Sequence, residues 1–371
     1  MLQAQHVHII AFDVPSPPDY GGVIEVYYKI ESLVKAGIKV HLHSFIYGRQ
    51  VSKRLAEMCE QVHYYPRKLN PLKLLDSKPF IVVTRSDESL LRNLVKDDYP
   101  IIFEGLHTCF FLAHPMLRER KKVVRLHNIE HEYYNGLAAL EQRRLKKWYF
   151  NREAKRLDFF ERVLDFADII ACISEGDFSN YRQLFGSKVH YLPCFHGNKE
   201  IRTEVGTEKF LLYHGNLSIN ENVVSVDFLM TVFGNKTYKI VIAGKHPSKQ
   251  LEKQLSIYPN FKLVKNPNNA EMSRLLKTAH IHLLPFQIQC GAKIKLVNAL
   301  FNGKFIITNS KGYDNTLNTI SYANTEKEWL EVANRMYGME FSTQDMEDKT
   351  AFLNKTFNNE LNIQKLIALC S

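Results

Sequence analysis

The sequence predicts two successive doubly wound α/β domains, each a parallel sheet covered by helices on both faces. Short apolar runs alternate with helical patterns along the whole chain, the order expected of a βαβ series. A polar stretch without apolar periodicity interrupts that series just past Pro193. The length of 371 residues also exceeds the roughly 250–300 residues over which single cores stop growing.

His6–Phe12 opens the series as a strand, and the Pro-rich run from Val14 to Gly21-Gly22 breaks it. Val23, Val26, Tyr27, Ile30, Leu33 and Val34 then recur at helical spacing until Gly37 stops the helix. Further strands are expected at Lys39–Ile46, Val62–Tyr65, Pro100–Phe103, Lys122–Leu126, Ile169–Ile173 and Val189–Leu192, with one long charged helix over Gly136–Asp165. These elements make a first domain of residues 1–195, and 196–208 reads as a linker. A second domain, 209–340, has strands at Phe210–His214, Lys239–Gly244, Phe261–Lys265, His280–Pro285 and Lys304–Asn309. Helices near Asn222–Phe233, Pro247–Ile257, Ala270–Ala279 and Ala292–Asn302 separate them. The pattern is helical from about Glu326, and residues 341–371 are expected to be a helical tail packing back on the first domain.

Composition removes several function classes. With 45 % hydrophobic and 24 % charged residues the chain is neither disordered nor fibrous. No apolar run approaches the roughly 18 residues of a membrane span, and no basic patch precedes the first apolar stretch, so a secretory signal is not expected. The six cysteines are scattered without a CxxC pair, which speaks against a disulfide scaffold or a cysteine zinc site and for a reducing cytoplasm. The net charge of +10 invites a nucleic-acid reading. However, residues 1–200 hold 29 basic and 24 acidic groups and the rest hold 20 and 15, so no basic arm exists and no nucleic-acid partner is expected.

Neither half carries GxGxxG after its first strand or GxxxxGK[ST], which removes the main support for dinucleotide and P-loop readings. Other features stand at strand ends, where open α/β sheets bind ligands. Gly21-Gly22 lets backbone approach a ligand at a helix start, and helix starts attract anions. Gly215 and Asn216 follow the second domain's first strand, and Lys245 ends its second. Lys293 and Lys295 open a helix within Cys290-Gly-Ala-Lys-Ile-Lys-Leu-Val-Asn298, a suitable seat for a diphosphate. In the first domain Glu104-Gly-Leu-His107 and His127-Asn-Ile-Glu-His131 follow strands, and histidines there can bond a sugar or take a proton. His127 and His131 have i, i+4 spacing but no third ligand at a recognisable distance, so no metal is expected. The run Arg143–Arg156 interleaves seven basic residues with Trp148, Tyr149 and Phe150, which suits either a solvated helix face or peripheral contact with an anionic membrane.

Pro17-Pro-Asp-Tyr-Gly-Gly22, Arg125-Leu-His-Asn-Ile-Glu-His131, Gly215-Asn-Leu-Ser218 and Gly291-Ala-Lys-Ile-Lys-Leu-Val-Asn-Ala-Leu300 together resemble the retaining glycosyltransferases of family 4 over residues 6–340. The resemblance implies the GT-B fold, with two Rossmann-like domains across a cleft and the donor held mainly by the second. It implies a transferase moving a sugar from a nucleotide sugar to a glycan or lipid-linked acceptor with retention, in polysaccharide biosynthesis, without a metal or other cofactor. Catalytic roles fall on His107, Glu104 and His127, and donor contacts on Gly21, Gly22, Gly215, Asn216, Lys245, Lys293, Lys295 and Asn298. The expected location is the cytoplasm, with its membrane face as the alternative.

This chain departs from the family pattern in two places. In the segment that usually reads E-x7-E, the positions hold Cys290 and Asn298; an amide there still hydrogen-bonds hydroxyls. The Arg and Lys expected after Gly215 are replaced by Asn216, Glu221 and Asn222. Two alternatives stay open: a nucleotide-sugar epimerase of the same fold, and a non-catalytic degenerate transferase that acts as a binding partner, which these departures sustain.

Overall fold

The computed structural model describes residues 5–203, 209–291, 293–310 and 317–371. The first domain is a seven-stranded parallel sheet of β1 (His6–Ala11), β2 (Lys39–Ile46), β3 (Gln61–Pro66), β4 (Ile101–Glu104), β5 (Lys122–Leu126), β6 (Ile169–Cys172) and β7 (Val189–Tyr191). Its order is β3-β2-β1-β4-β5-β6-β7. The second is a six-stranded parallel sheet of β8 (Leu211–Asn216), β9 (Ile240–Lys245), β10 (Phe261–Lys265), β11 (Ile281–Leu284), β12 (Phe305–Thr308) and β13 (Ile320–Tyr322), ordered β10-β9-β8-β11-β12-β13. Winding reverses between β1 and β4 in one sheet and between β8 and β11 in the other. Each reversal opens a crevice at the carboxyl ends of its strands.

The strands are apolar because both faces are covered. Ile9, Ile102, Val123 and Ala171 pack under the helix Gly21–Lys35, while Ile10, Phe103, Val124 and Ile170 pack on the opposite face. β13 was not expected, since a three-residue strand carries no readable period. The helix expected over 136–165 is two helices, Glu130–Leu140 and Arg144–Phe160, followed by a 3₁₀ segment Glu161–Phe166. Glu141 leaves helical angles, accepts the Arg143 N–H at 3.0 Å and pairs with Lys146 at 2.9 Å, which restarts the helix in a new direction. The turn brings Tyr134 against Phe150, with ring centroids 5.9 Å apart.

Trp329, Ala333 and Met336 of helix Glu326–Tyr337 sit in the second domain's core. Helix Thr343–Thr356 packs there too, through Leu353. The chain then recrosses, and Ile363, Leu366, Ile367 and Cys370 of helix Asn359–Cys370 enter the first domain's core beside Val26, Ile30 and Leu33. The two crossings are stitched together: His196 Nε2 lies 2.8 Å from the Phe357 carbonyl, and the Asn359 amide donates to the His196 carbonyl at 2.8 Å. Residues 204–208 of the expected linker lie outside the described residues. All six cysteines are buried and none is in a disulfide, and no helix among the described residues is long and apolar enough to cross a membrane.

Candidate active site

The site begins with a buried ionic network under the first crevice. Glu25 and Lys29 share one face of helix Gly21–Lys35, four residues apart, and bond at 2.8 Å. Lys29 also pairs with Glu104 at 2.7 Å, and Arg125 on β5 reaches Glu25 at 2.8 Å and the carbonyls of Leu192 and Pro193. Burial pushes the Glu25 carboxyl up, but Lys29 and Arg125 override it and hold it at about 2. His127 caps the network, its Nε2 2.9 Å from Glu104. Glu104 is fully buried, with both oxygens on Lys29 and one also on His127. The structure thus places Glu104, for which a catalytic role is expected, beneath His127 and closed off by these partners. Glu25, Glu104 and His127 lie close enough together to hold a cation, but Lys29 and Arg125 already supply that charge. His131 points elsewhere, to Glu161 at 2.9 Å, so the i, i+4 histidine pair shares no ligand position.

Above the network the chain turns at Gly105, whose φ of +71° suits glycine; a β-carbon there would come within 3.0 Å of His107 Nδ1. The turn aims His107 into the crevice, its ring 5.6 Å from that of Phe12 and its Nδ1 3.6 Å from Glu130. Burial and the nearby Arg85, His127 and Arg67 keep the His107 imidazole neutral. Glu130 is 1 % exposed, and burial raises its carboxyl to about 8, against a weak bond from the Asn128 amide. At pH 7 it is therefore a protonated donor.

The second domain closes on this surface. Gly291, at φ +78°, is seated so tightly against Asn128 that a β-carbon would come within 2.7 Å of the His127 carbonyl. Its N–H donates to Asp177 at 3.2 Å, and Asn220 donates to the Leu140 carbonyl at 2.9 Å. Burial raises Asp177 to about 6, against the Gly291 N–H and Ser174. Lys293, expected to face a diphosphate, is turned inward: its ammonium donates to the carbonyls of Ile288 (2.6 Å) and Cys290 (2.7 Å) and braces the Gly291 loop. Asn298, expected on the donor, accepts from Asn198 of the linker at 3.0 Å. Lys245 is exposed at the end of β9, in register with Asn216, whose side chain accepts from Ser218.

Two helix starts meet across the cleft. Gly21, with no side-chain cap before it, lies where a β-carbon would be 3.7 Å from Ile294, the first residue of helix Ile294–Asn302. Gly22 rests on the Phe12 ring. Lys295 stands one residue into that second helix and reaches Asn222 and, at 3.3 Å, the Tyr213 hydroxyl. Its ammonium is 2.9 Å from where a Gly215 β-carbon would be. Burial lowers Lys295 to about 8, against the pull of Glu221. Of the expected donor residues, the structure thus gathers Gly21, Gly22, Gly215 and Lys295 at the cleft. Arg67, Arg85, Asp177 and Gly291 were not anticipated as site residues; only Gly291 stood in a quoted motif.

This two-domain geometry has solved counterparts. Anabaena HepE, solved with UDP and glucose, superimposes with a TM-score of 0.65 at 11 % identity, over 97 % of this chain and 98 % of that one. The fold is GT-B. S. aureus TarM, solved with fondaparinux, α-GlcNAc-glycerol and UDP, gives a GT-B match of 0.65 at 10 % identity over 99 % and 100 % of the two chains. The lipopolysaccharide outer core galactosyltransferase WaaB gives 0.64 at 13 %, over 96 % and 99 %. By sequence, the chain is 24 % identical over 329 residues to an uncharacterized 44.6 kDa protein in the cps region of Klebsiella pneumoniae, covering 83 % of this chain and 84 % of that one. No family model matches.

Proposed function

We propose that this chain is a retaining glycosyltransferase that moves a sugar from a nucleotide sugar to a glycan or lipid-linked acceptor in polysaccharide biosynthesis. The observation that carries the reading is the meeting of two helix starts, at Gly21 and Ile294, beside Lys295 and opposite His107. Positive helix ends and one ammonium suit a leaving diphosphate, whose charge grows as the bond to the sugar breaks. UDP in the HepE and TarM structures and the cps-region relative support the same reading.

The step needs no enzymic nucleophile. The bond from the anomeric carbon to the diphosphate oxygen breaks, the bond to the acceptor oxygen forms on the same face, and the acceptor's proton passes to the departing diphosphate. Neutral His107 and protonated Glu130 orient the transferred sugar through hydrogen bonds, and Glu104 fixes His127 beneath it. Lys295 and the two helix starts supply positive charge in place of the Arg and Lys missing after Gly215. The latch of Gly291 on Asp177 excludes water from the closed cleft.

Membrane contact belongs to the same reading. Arg144, Lys147 and Lys155 lie on an exposed helix with Leu145, Trp148 and Phe159. Arg156 ties that helix to the carbonyl of Leu74, in a 3₁₀ segment where Leu72 and Leu75 are also exposed. Basic and apolar side chains on one surface suit the anionic face of a bilayer.

A thermal-shift series with UDP-glucose, UDP-N-acetylglucosamine, GDP-mannose and the free nucleotides tests the donor. Stabilisation by one nucleotide, lost in Lys295→Met, is the expected result; no response to any of them would sink the reading. Release of UDP together with an epimerised sugar, with no acceptor present, would move the assignment to an epimerase.

A further inference from the structure

We infer that the first-domain side of the cleft is built to take an acceptor carrying a negatively charged group, a carboxylate or a phosphate, on Arg67 and Arg85. This rests on the transferase reading and names the chemical class of its acceptor.

Arg85 is only 5 % exposed, yet its partners are all neutral: Nε and Nη2 donate to the Phe12 carbonyl and Nη1 to that of Ile81. Arg67 is half-buried, donates to the Thr84 hydroxyl at 3.0 Å and lies over the Tyr47 ring at 4.2 Å. Among the described residues, no carboxylate lies within 4.0 Å of either guanidinium. Deeper in the domain, Lys29 and Arg125 are ion-paired with Glu25 and Glu104. Asp13 acts on both guanidiniums through space, and its oxygens are engaged by the Val14 N–H and the Tyr20 hydroxyl. Burial raises the Asp13 carboxyl and holds Glu130 up at about 8, so neither arginine has an ion-paired counter-charge.

The arginines adjoin the reacting centre. Arg85 holds the carbonyl of Phe12, whose ring touches those of His107 and His127 at 5.6 and 5.5 Å. Two buried polar atoms there, His107 Nδ1 and Glu130 Oε2, make no hydrogen bond. One buried and one half-buried guanidinium without an ion-paired carboxylate, beside unsatisfied polar atoms, suit an anion subsite: a guanidinium binds a carboxylate or phosphate through two parallel bonds. Sequence reading gave no sign of it, because both arginines lie in the irregular stretch between β3 and β4.

Isothermal titration calorimetry on the full chain decides the matter. Methyl glucuronide is compared with methyl glucoside, and glycerol 1-phosphate with glycerol, which separates the two anion types. At least one anionic probe is expected to bind about tenfold tighter than its neutral counterpart. Arg67→Gln should bring the two to parity, and Arg67→Lys should keep part of the preference. Equal binding of anionic and neutral probes by the unaltered protein overturns the inference and needs no variant, as does a preference that survives Arg67→Gln in a folded protein. UDP titrated into the same samples reports the donor side separately. Its failure to bind sinks the transferase reading and leaves the probe comparison to decide the anion subsite.

Discussion

Glu130 carries the sharpest consequence at the residue scale. Its carboxyl is held up to about 8 by burial, so the protonated form is the one that faces His107 at neutral pH. The folded state binds that proton more tightly than the unfolded chain does. The associated stability is therefore complete below pH 4.5 and is lost as pH rises through about 8. Transfer rates should fall over the same upper limb. Glu130→Gln keeps a donor at every pH, so its rate at pH 7 should stay within a few-fold of the parent while the fall near pH 8 disappears. Glu130→Ala should lose roughly tenfold to hundredfold. An unchanged alkaline limb in Glu130→Gln would assign it to another group, Lys295 being the nearest in pKa. His107 and His127 were legible in the sequence because each stands just after a strand. The inward turn of Lys293 was not: spacing puts it at a helix start, but the carbonyls it braces come from its own preceding loop, which has no period.

Among the elements, the parallel strands other than β13 were readable within a residue or two, since strands buried on both faces are written as largely apolar runs. The break between Leu140 and Arg144 was hidden because both helices carry charge and apolar residues at helical spacing across it. Only the side chain of Glu141 marks the new start. The most consequential element is the helix Asn359–Cys370, whose Leu366 is fully buried between the helix Gly21–Lys35 and the first sheet. Leu366→Ala should cost about 2–5 kcal/mol, read as a lower midpoint in urea unfolding followed by the first domain's signals. A loss below roughly 0.5 kcal/mol, the range of ordinary surface changes, would mean that this helix is not docked.

At the scale of the whole molecule, charge and exposed apolar area divide the surface. The two halves have equal net charge, but the helix Arg144–Phe160 gathers basic groups beside Trp148 and Phe159 on one outer face of the first domain. Each lysine or arginine near an anionic bilayer contributes about 1 kcal/mol, and the interfacial aromatics add to it. Co-sedimentation with phosphatidylglycerol vesicles should exceed that with phosphatidylcholine and weaken with salt. Trp148→Ala combined with Arg144→Glu should halve it or more while UDP binding stays unchanged. Equal sedimentation of parent and double variant would remove this face from the membrane. Two facing domains were legible from alternation and length, whereas their contact was not, because it is made by loop and helix-end residues such as Gly291, Asn220 and Gly21 that carry no period.

The return of the chain to the first domain also orders its synthesis. The core around Val26, Ile30 and Leu33 is finished by residues made only after the entire second domain. A nascent chain reaching residue 340 holds a second domain with its sheet complete and a first domain with an open apolar face. Domains usually fold in the order they are made. Here the earlier one gains its last core residues only with helix Asn359–Cys370, after the later one has been made.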